Sequence, residues 1–107
     1  MDFVKCYEQV KDKYTITSKS SDMFCIDTDA MISDYDYVFV AIKNVNNNAV
    51  ICDYANNLQN ISLDKEIIEN ICKKYDVIFD NYELIKIYNN IDDVKKYIDC
   101  VAEISNS

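Results

Sequence analysis

The chain contains neither glycine nor proline in its 107 residues, and this double absence constrains its turns more than any other feature. Those two residues normally form tight turns and the loops that cradle phosphate groups. Asparagine also tolerates the left-handed backbone conformation, and the chain has twelve asparagines. We therefore expect asparagine at the left-handed turn positions. The absence of glycine also excludes a P-loop and a dinucleotide-binding fingerprint.

The spacing of apolar residues predicts a single α+β domain over residues 1–107. The order of predicted elements is α-β-β-β-β-α-β-β-α. Predicted helices cover residues 2–12, 63–75 and 91–104, and predicted strands cover 14–18, 23–28, 37–43, 49–54, 77–79 and 82–88. Strands that follow one another closely pair locally, which favours a mainly antiparallel sheet. We expect a two-layer sandwich with the helices on one face of that sheet.

Local signals mark several ends of these elements. Asp2, Ser62 and Asn90 are the predicted N-caps of the three helices. Asp80 and Asn81 predict a two-residue hairpin turn, because both residue types adopt the left-handed conformation.

Five cysteines lie at wide and irregular spacings inside apolar stretches, and no CxxC motif occurs. This pattern is typical of buried free thiols in a reducing compartment. The first residues lack the basic and apolar regions of a signal peptide, and no apolar run reaches the length of a membrane span. We expect the protein in the cytoplasm of a bacterial cell, since its composition matches the coding bias of an AT-rich bacterium or phage.

The charge balance is strongly negative, with 11 lysines, 19 acidic residues and a net charge of −8. A nucleic-acid-binding surface needs cations that displace phosphate counterions. The field of this chain repels nucleic acid and anionic membranes, so the expected partner is a basic protein.

The residues that common catalytic sites need are missing. There is no histidine, which excludes Cys-His and Ser-His-Asp arrangements. The scattered cysteines provide no ligand pair at zinc spacing. Two carboxylates alone can act on a glycosidic bond, but fourteen aspartates bring two carboxylates together by chance. We expect no enzymatic activity, no cofactor and no metal.

A lysine-free stretch from residue 20 to residue 42 is the one feature that points to a binding site. In extended backbone, residues two apart share one face, so paired aspartates present a row of negative charge. Exposed tyrosine is a favoured interface residue. The predicted partner-binding residues are Asp22, Asp27, Asp29, Asp34, Tyr35, Asp36 and Tyr37. The alternative is an acidic loop that serves only solvation.

The same aspartates allow a calcium hypothesis, which the spacing disfavours. An EF-hand loop that begins at Asp27 would place Met31 at its fifth position, where an oxygen ligand is needed. It would also lack the glycine at the sixth position.

The segment AVICDYANNLQNI, residues 49–61, is similar to an uncharacterised bacterial and prophage domain family. In that family an apolar strand ends in an Asp-Asp-Gly turn before a helix. Asp53 matches the first Asp, whereas Tyr54 and Ala55 stand where Asp and Gly would be. The resemblance implies no activity, and we expect Asp53 to be a turn or cap residue.

The overall profile resembles small phage-encoded inhibitors, including anti-CRISPR proteins. Such inhibitors are often acidic, of this size and without catalytic motifs. The resemblance implies a binding protein that occupies a basic surface of a CRISPR effector or another nuclease. The alternative is a non-enzymatic structural or assembly domain that forms a homodimer. That alternative predicts a large exposed apolar patch.

Overall fold

The computed structural model describes residues 1–31 and 37–107, and within them the elements follow the predicted order. The predicted α+β class is confirmed. The bounds are α1 (Phe3–Lys11), β1 (Ile16–Lys19), β2 (Met23–Ile26), β3 (Val40–Val45), β4 (Asn48–Cys52), α2 (Lys65–Lys74), β5 (Ile78–Asp80), β6 (Glu83–Ile87) and α3 (Asp92–Ser105).

The six strands form one sheet in the order β1-β2-β3-β4-β6-β5, and each neighbouring pair is antiparallel. The first four strands form a meander. The chain then passes through α2, enters the edge of the sheet as β5 and returns as β6 between β4 and β5. This crossover makes neighbours of two strands that are far apart in sequence, with Val50 paired to Ile87 and Cys52 paired to Ile85.

Residues other than glycine adopt the left-handed conformation at several turns of the described chain. Asn46 and Asn47 form the two-residue turn between β3 and β4, with φ angles of 52° and 70°. The other positive φ angles among the described residues belong to Tyr54, Ala55, Asp76, Asn81 and Tyr82. The expectation that asparagine takes these positions therefore holds for three of seven, and the remaining four are taken by aspartate, tyrosine and alanine.

The hairpin between β5 and β6 turns one residue later than predicted. Asn81 and Tyr82 form the turn, with φ angles of 51° and 65°. Asp80 instead pairs with Glu83 and closes the antiparallel ladder. The pairing of Asp80 with Glu83 therefore fixes the position of the turn. As a result, Tyr82 adopts the left-handed conformation, which is unfavourable for a tyrosine.

Strand β3 begins three residues later than predicted, and a side chain explains the difference. The backbone N–H of Phe39 donates to Oδ1 of Asn57 at 2.7 Å, and Nδ2 of Asn57 donates to the Phe39 carbonyl at 2.9 Å. The amide of Asn57 thus takes the place of a neighbouring strand, since it satisfies both backbone groups of that residue.

One of the three predicted helix caps, Asp2, is confirmed. Asp2 accepts hydrogen bonds from two backbone amides of the first turn of α1, at 2.8 and 3.1 Å. The predicted cap Ser62 is wrong, because α2 begins after Asp64. Asn90 lies one residue before the cap position of α3, yet its Oδ1 accepts from the Asp92 amide at 2.9 Å.

The core lies between the three helices and one face of the sheet, as predicted. Alternate residues of the central strands face the helices, and their register aligns Phe24, Ile42, Ile51 and Lys86 across four strands. The rings of Phe3 and Phe24 lie 5.6 Å apart and join α1 to the sheet. We call the face turned away from the helices the outer face.

Candidate binding surfaces

Four of the seven predicted partner-binding residues lie in the described part of the chain. Asp22, Asp27, Asp29 and Tyr37 are all exposed. Asp34, Tyr35 and Asp36 lie outside the described residues.

Asp27 and Asp29 lie on the same side of the segment that follows β2. The Thr28 between them is buried, and its Oγ1 donates to the Val38 carbonyl at 2.8 Å. Because Thr28 points inward, the two carboxylates on either side of it are exposed to solvent, as the spacing of two predicts.

Tyr37 joins this acidic end through backbone pairing. It forms an isolated antiparallel bridge with Met31, and both side chains are exposed. The Val38 amide donates to the Ala30 carbonyl at 2.8 Å, which holds the two segments side by side. The structure therefore brings Tyr37 close to Asp29, and we call Asp27, Asp29 and Tyr37 the acidic end.

Asp22 does not belong to the acidic end. It precedes β2, whereas Asp27 follows β2, so the strand separates them by roughly 16 Å at about 3.3 Å per residue. Its carbonyl accepts from the Asn44 amide at 2.8 Å, which ties it to the far end of β3. The β2 strand therefore separates Asp22 from the acidic end, and the role of Asp22 in partner binding stays a prediction.

A cleft of about 410 Å³ opens beside the acidic end, and its charge is mixed. Lys13 and Lys95 line it together with Asp99 and the two aspartates of the acidic end. Lys95 Nζ lies 2.8 Å from an oxygen of Asp99. The two ammonium groups reduce the local negative field without cancelling it.

The outer face of the sheet carries a second candidate surface, which the sequence patterns did not predict. Strand register places Val50 beside Ile87 and Ile85 beside Ile78 on this face. Ile87 is 55% exposed and Ile78 is 52% exposed, while Val50 and Ile85 are half-buried. We call these four residues the isoleucine patch.

A tyrosine covers another part of the outer face. Tyr54 follows β4, and its hydroxyl lies 3.7 Å from the sulfur of Met23. The Lys43 ammonium lies 5.8 Å from the centre of its ring. Ala41 and Cys52 are fully buried although both point to the outer face. Tyr54 thus lies over part of the outer face near Met23 and Lys43, whereas the isoleucine patch is in contact with solvent.

The neighbour of Ile87 in the chain is a buried cation on the helix side of the sheet. Lys86 is only 4% exposed, and its Nζ donates to the carbonyls of Tyr75 at 2.8 Å and Asp76 at 3.2 Å. These carbonyls lie at the C-terminal end of α2, where the helix dipole favours a positive charge. The carboxylate of Asp93 lies 3.8 Å away and is also buried.

Asp53 is a turn residue, as predicted, and its side chain also links the end of β4 to β6. Its buried carboxylate accepts from the backbone amides of Ala55 at 3.0 Å, Asn57 at 3.3 Å and Leu84 at 3.1 Å. Burial raises the pKa of the Asp53 carboxyl, and the three amide donors oppose that rise. The turn that it organises has positive φ at Tyr54 and Ala55.

The five cysteines are free thiols, four buried and one half-buried, which agrees with the predicted role in packing. Burial raises the pKa of the Cys6 thiol to about 12 and that of Cys52 to about 11. Both are therefore poor nucleophiles at neutral pH. Cys72 and Cys100 join α2 to α3, with their sulfurs 3.9 Å apart.

The described residues provide neither a cluster of metal ligands nor a membrane-spanning helix. Residues 1–31 and 37–107 contain no group of three or more Cys, Asp or Glu side chains placed to hold a metal ion. In the same residues, none of the helices is long and apolar enough to span a membrane. No family model, no curated protein and no solved structure significantly matches the chain.

The isoleucine patch could have been found from the sequence by comparing two expectations. The segment 84–87 reads Leu-Ile-Lys-Ile, and alternation puts Ile85 and Ile87 together on one face. If Leu84 faces the core, both isoleucines must point away from helices that pack on one side only. The position of the helices therefore decides which face of β6 is exposed.

Proposed function

We propose that the chain is a small acidic, non-catalytic binding protein that inhibits a nucleic-acid-processing complex by occupying its basic surface. The acidic end supports this proposal. It combines the exposed carboxylates of Asp27 and Asp29 with an exposed tyrosine, Tyr37, in a chain of net charge −8.

The proposed mechanism is electrostatic and steric. A negative surface is attracted to a channel lined by lysine and arginine, and this attraction speeds association. Tyr37 supplies a large, half-apolar contact once the surfaces meet. Nucleic acid is then excluded because its phosphates compete for the same cations.

The partner class follows from that chemistry. CRISPR effectors and other nucleases expose such channels before nucleic acid enters them. The inhibitor acts in the bacterial cytoplasm, binds no nucleic acid itself and needs no cofactor. Bound guide or substrate should therefore prevent binding of the inhibitor.

The first test is capture from a lysate of a low-GC bacterium at low and at high salt, with mass spectrometry of the retained proteins. A retained effector or nuclease is then purified free of nucleic acid, and its cleavage is measured with increasing amounts of the chain. We expect inhibition that nucleic acid relieves and that high salt weakens. Binding that is insensitive to salt would contradict the mechanism.

A pair of charge-matched variants sharpens the test. Asp27→Asn with Asp29→Asn removes two charges from the acidic end, whereas Glu66→Gln with Glu69→Gln removes two exposed charges from α2. We expect the first variant to slow association about tenfold and the second to change it by less than about twofold. Equal effects would show that only net charge matters.

The second candidate function is a structural or assembly domain. The isoleucine patch favours it, since an exposed apolar patch marks an interaction surface. Such a domain self-associates in a manner that is indifferent to changes at Asp27 and Asp29.

A further inference from the structure

The isoleucine patch is continuous across three strands. Val50 on β4 pairs with Ile87 on β6, and Ile85 on β6 pairs with Ile78 on the edge strand β5. Side chains that are directly opposite in an antiparallel pair lie about 5 Å apart, so Val50 lies beside Ile87 and Ile78 lies beside Ile85, while Ile85 and Ile87 share one face of β6. The patch is therefore one surface rather than scattered apolar residues.

The composition of this surface differs from that of an ordinary solvated sheet face. Antiparallel sheets with one face on a core normally expose polar side chains on the other face. Here β6 buries a lysine against the helices and exposes Ile87 to solvent, with the half-buried Ile85 beside it. Such an arrangement is expected when a second apolar surface covers the outer face.

The distribution of charge indicates what kind of surface binds the outer face. The chain carries a net charge of −8, yet in the described strands the register puts only three charged residues on the outer face, Lys43, Asp80 and Glu83. Lys43 and Glu83 lie 3.9 Å apart and offset each other. A basic partner would be drawn to the acidic end, whereas the outer face attracts a surface that is equally apolar and poor in charge. The outer face of a second copy has these properties.

We propose that two copies of the chain associate through their outer faces and form a symmetric sandwich of two sheets. The contact is isologous, with the same patch on both copies. Two sheets packed face to face lie about 10 Å apart and interdigitate their side chains. The proposal goes beyond the inhibitory function, because it concerns a different surface and needs no other protein.

The size of the isoleucine patch predicts the strength of this dimer. Its three strands, about 4.8 Å apart and roughly 16 Å long, give a projected area of about 200 Å². A standard stable interface buries about 800 Å² on each partner. We therefore expect a weak dimer with a dissociation constant between about 10 and about 500 µM.

Sedimentation equilibrium from about 10 µM to about 1 mM tests the proposal. We expect the mass of the wild-type chain to rise from 12.5 kDa toward twice that value. Ile78→Asp with Ile87→Asp should remain monomeric over the whole range. The charge-matched control is Val4→Asp with Ile67→Asp, which changes two exposed apolar residues on the helices and should dimerise like the wild type.

Three results would overturn the proposal. One is a wild-type chain that stays monomeric at about 1 mM. Another is equal loss of association in the isoleucine variant and in its control. The third is a dimer that survives in the Ile78→Asp, Ile87→Asp variant with unchanged circular dichroism. Asp27→Asn with Asp29→Asn should leave the dimer intact, so failure of the inhibitory function and failure of the dimer can be told apart.

A measurement on the unaltered chain guards against variants that fail to fold. The Ile methyl signals of the wild type are followed by NMR over the same concentration range. We expect the methyl groups of Ile78, Ile85 and Ile87 to shift with concentration, while that of Ile67 on α2 stays fixed. A concentration-dependent shift at Ile67 with none at the patch would refute the outer-face dimer.

Discussion

The two faces of the sheet differ in how far they bury neighbouring side chains of β6. On the helix side, Lys86 is almost fully buried and donates to carbonyls at the end of α2. On the outer face, Ile85 and Ile87 point toward solvent, and Ile87 is more than half exposed. At these neighbouring positions of β6, burial thus follows the position of the helices and not the polarity of the residue. The proposed dimer would cover the isoleucine patch that the helices leave exposed.

The largest expected contrast comes from removing one isoleucine from each face. Ile51 is fully buried on the helix side, so Ile51→Ala should lower the free energy of unfolding by about 3 to 4 kcal/mol. Ile87→Ala should cost less than about 1 kcal/mol in the monomer, because much of that side chain already contacts water. Urea denaturation at about 5 µM, where the monomer dominates, measures both. Equal losses would mean that the outer face is covered within a single chain.

The next contrast removes the charge buried on the helix side. Lys86→Met keeps the length of the side chain but leaves the buried carboxylate of Asp93 without its cation. We expect a loss of about 3 kcal/mol in the free energy of unfolding. The double variant Lys86→Met, Asp93→Asn should recover part of that loss, since no unpaired charge remains. A double variant as unstable as the single one would show that the helix-end hydrogen bonds of Lys86 dominate.

A third contrast concerns solvent exposure within the outer face, between the part that lies under Tyr54 and the isoleucine patch. Tyr54→Ala should expose Cys52, whose thiol pKa is about 11 because of burial. We expect modification of Cys52 by a disulfide reagent at pH 8 to speed up about tenfold or more. Peptide mapping by mass spectrometry identifies the modified cysteine. Unchanged protection would mean that the strands alone bury this thiol.

A smaller effect concerns the turn that lays Tyr54 on the outer face. Ala55 has a φ of 61°, which glycine adopts without steric cost. Ala55→Gly should raise the free energy of unfolding by about 1 kcal/mol, because relief of strain outweighs the greater freedom of the unfolded chain. Thermal and urea unfolding of the variant measure this. Destabilisation would show that the left-handed conformation carries no strain here.

The smallest effect is a pH dependence at Asp53. Its folded pKa is raised above the ordinary value of 3.8, so the protonated form is favoured in the folded chain. Its contribution to stability is therefore present at low pH and is lost as the pH rises from below 3.8 through the folded pKa. Relative to Asp53→Asn, the wild type should become less stable across this window. The opposite slope in urea denaturation would show that the three amide donors outweigh burial.

Much of the fold could be predicted from the sequence, because apolar periodicity and turn residues agree along most of the chain. The two main differences have different causes. Asn57 lies 18 residues from Phe39 and replaces a strand there, so this contact leaves no local signal. Asp80 and Glu83 belong to the same hairpin, and their ladder pairing moves the turn by one residue although Asp80 and Asn81 both suit the predicted turn.

The candidate sites were less predictable. The spacing of two correctly placed Asp27 and Asp29 on one side, and the strand predicted over 23–28 already lies between Asp22 and Asp29. The isoleucine patch depends on the crossover that inserts β6 beside β4, and this pairing is not encoded in either strand alone. Alternation in residues 84–87 indicates that Ile85 and Ile87 share one face, whereas their neighbours Val50 and Ile78 follow only from the strand order.

The salt dependence of wild-type self-association tests the central claim most directly, namely that the outer face is an apolar interface distinct from the acidic end. Two copies of charge −8 repel each other, and salt screens that repulsion. Sedimentation equilibrium at low and high salt should therefore show a dimer that is equally strong or stronger at high salt. Association that disappears at high salt, or a chain that remains monomeric at both, would contradict the claim.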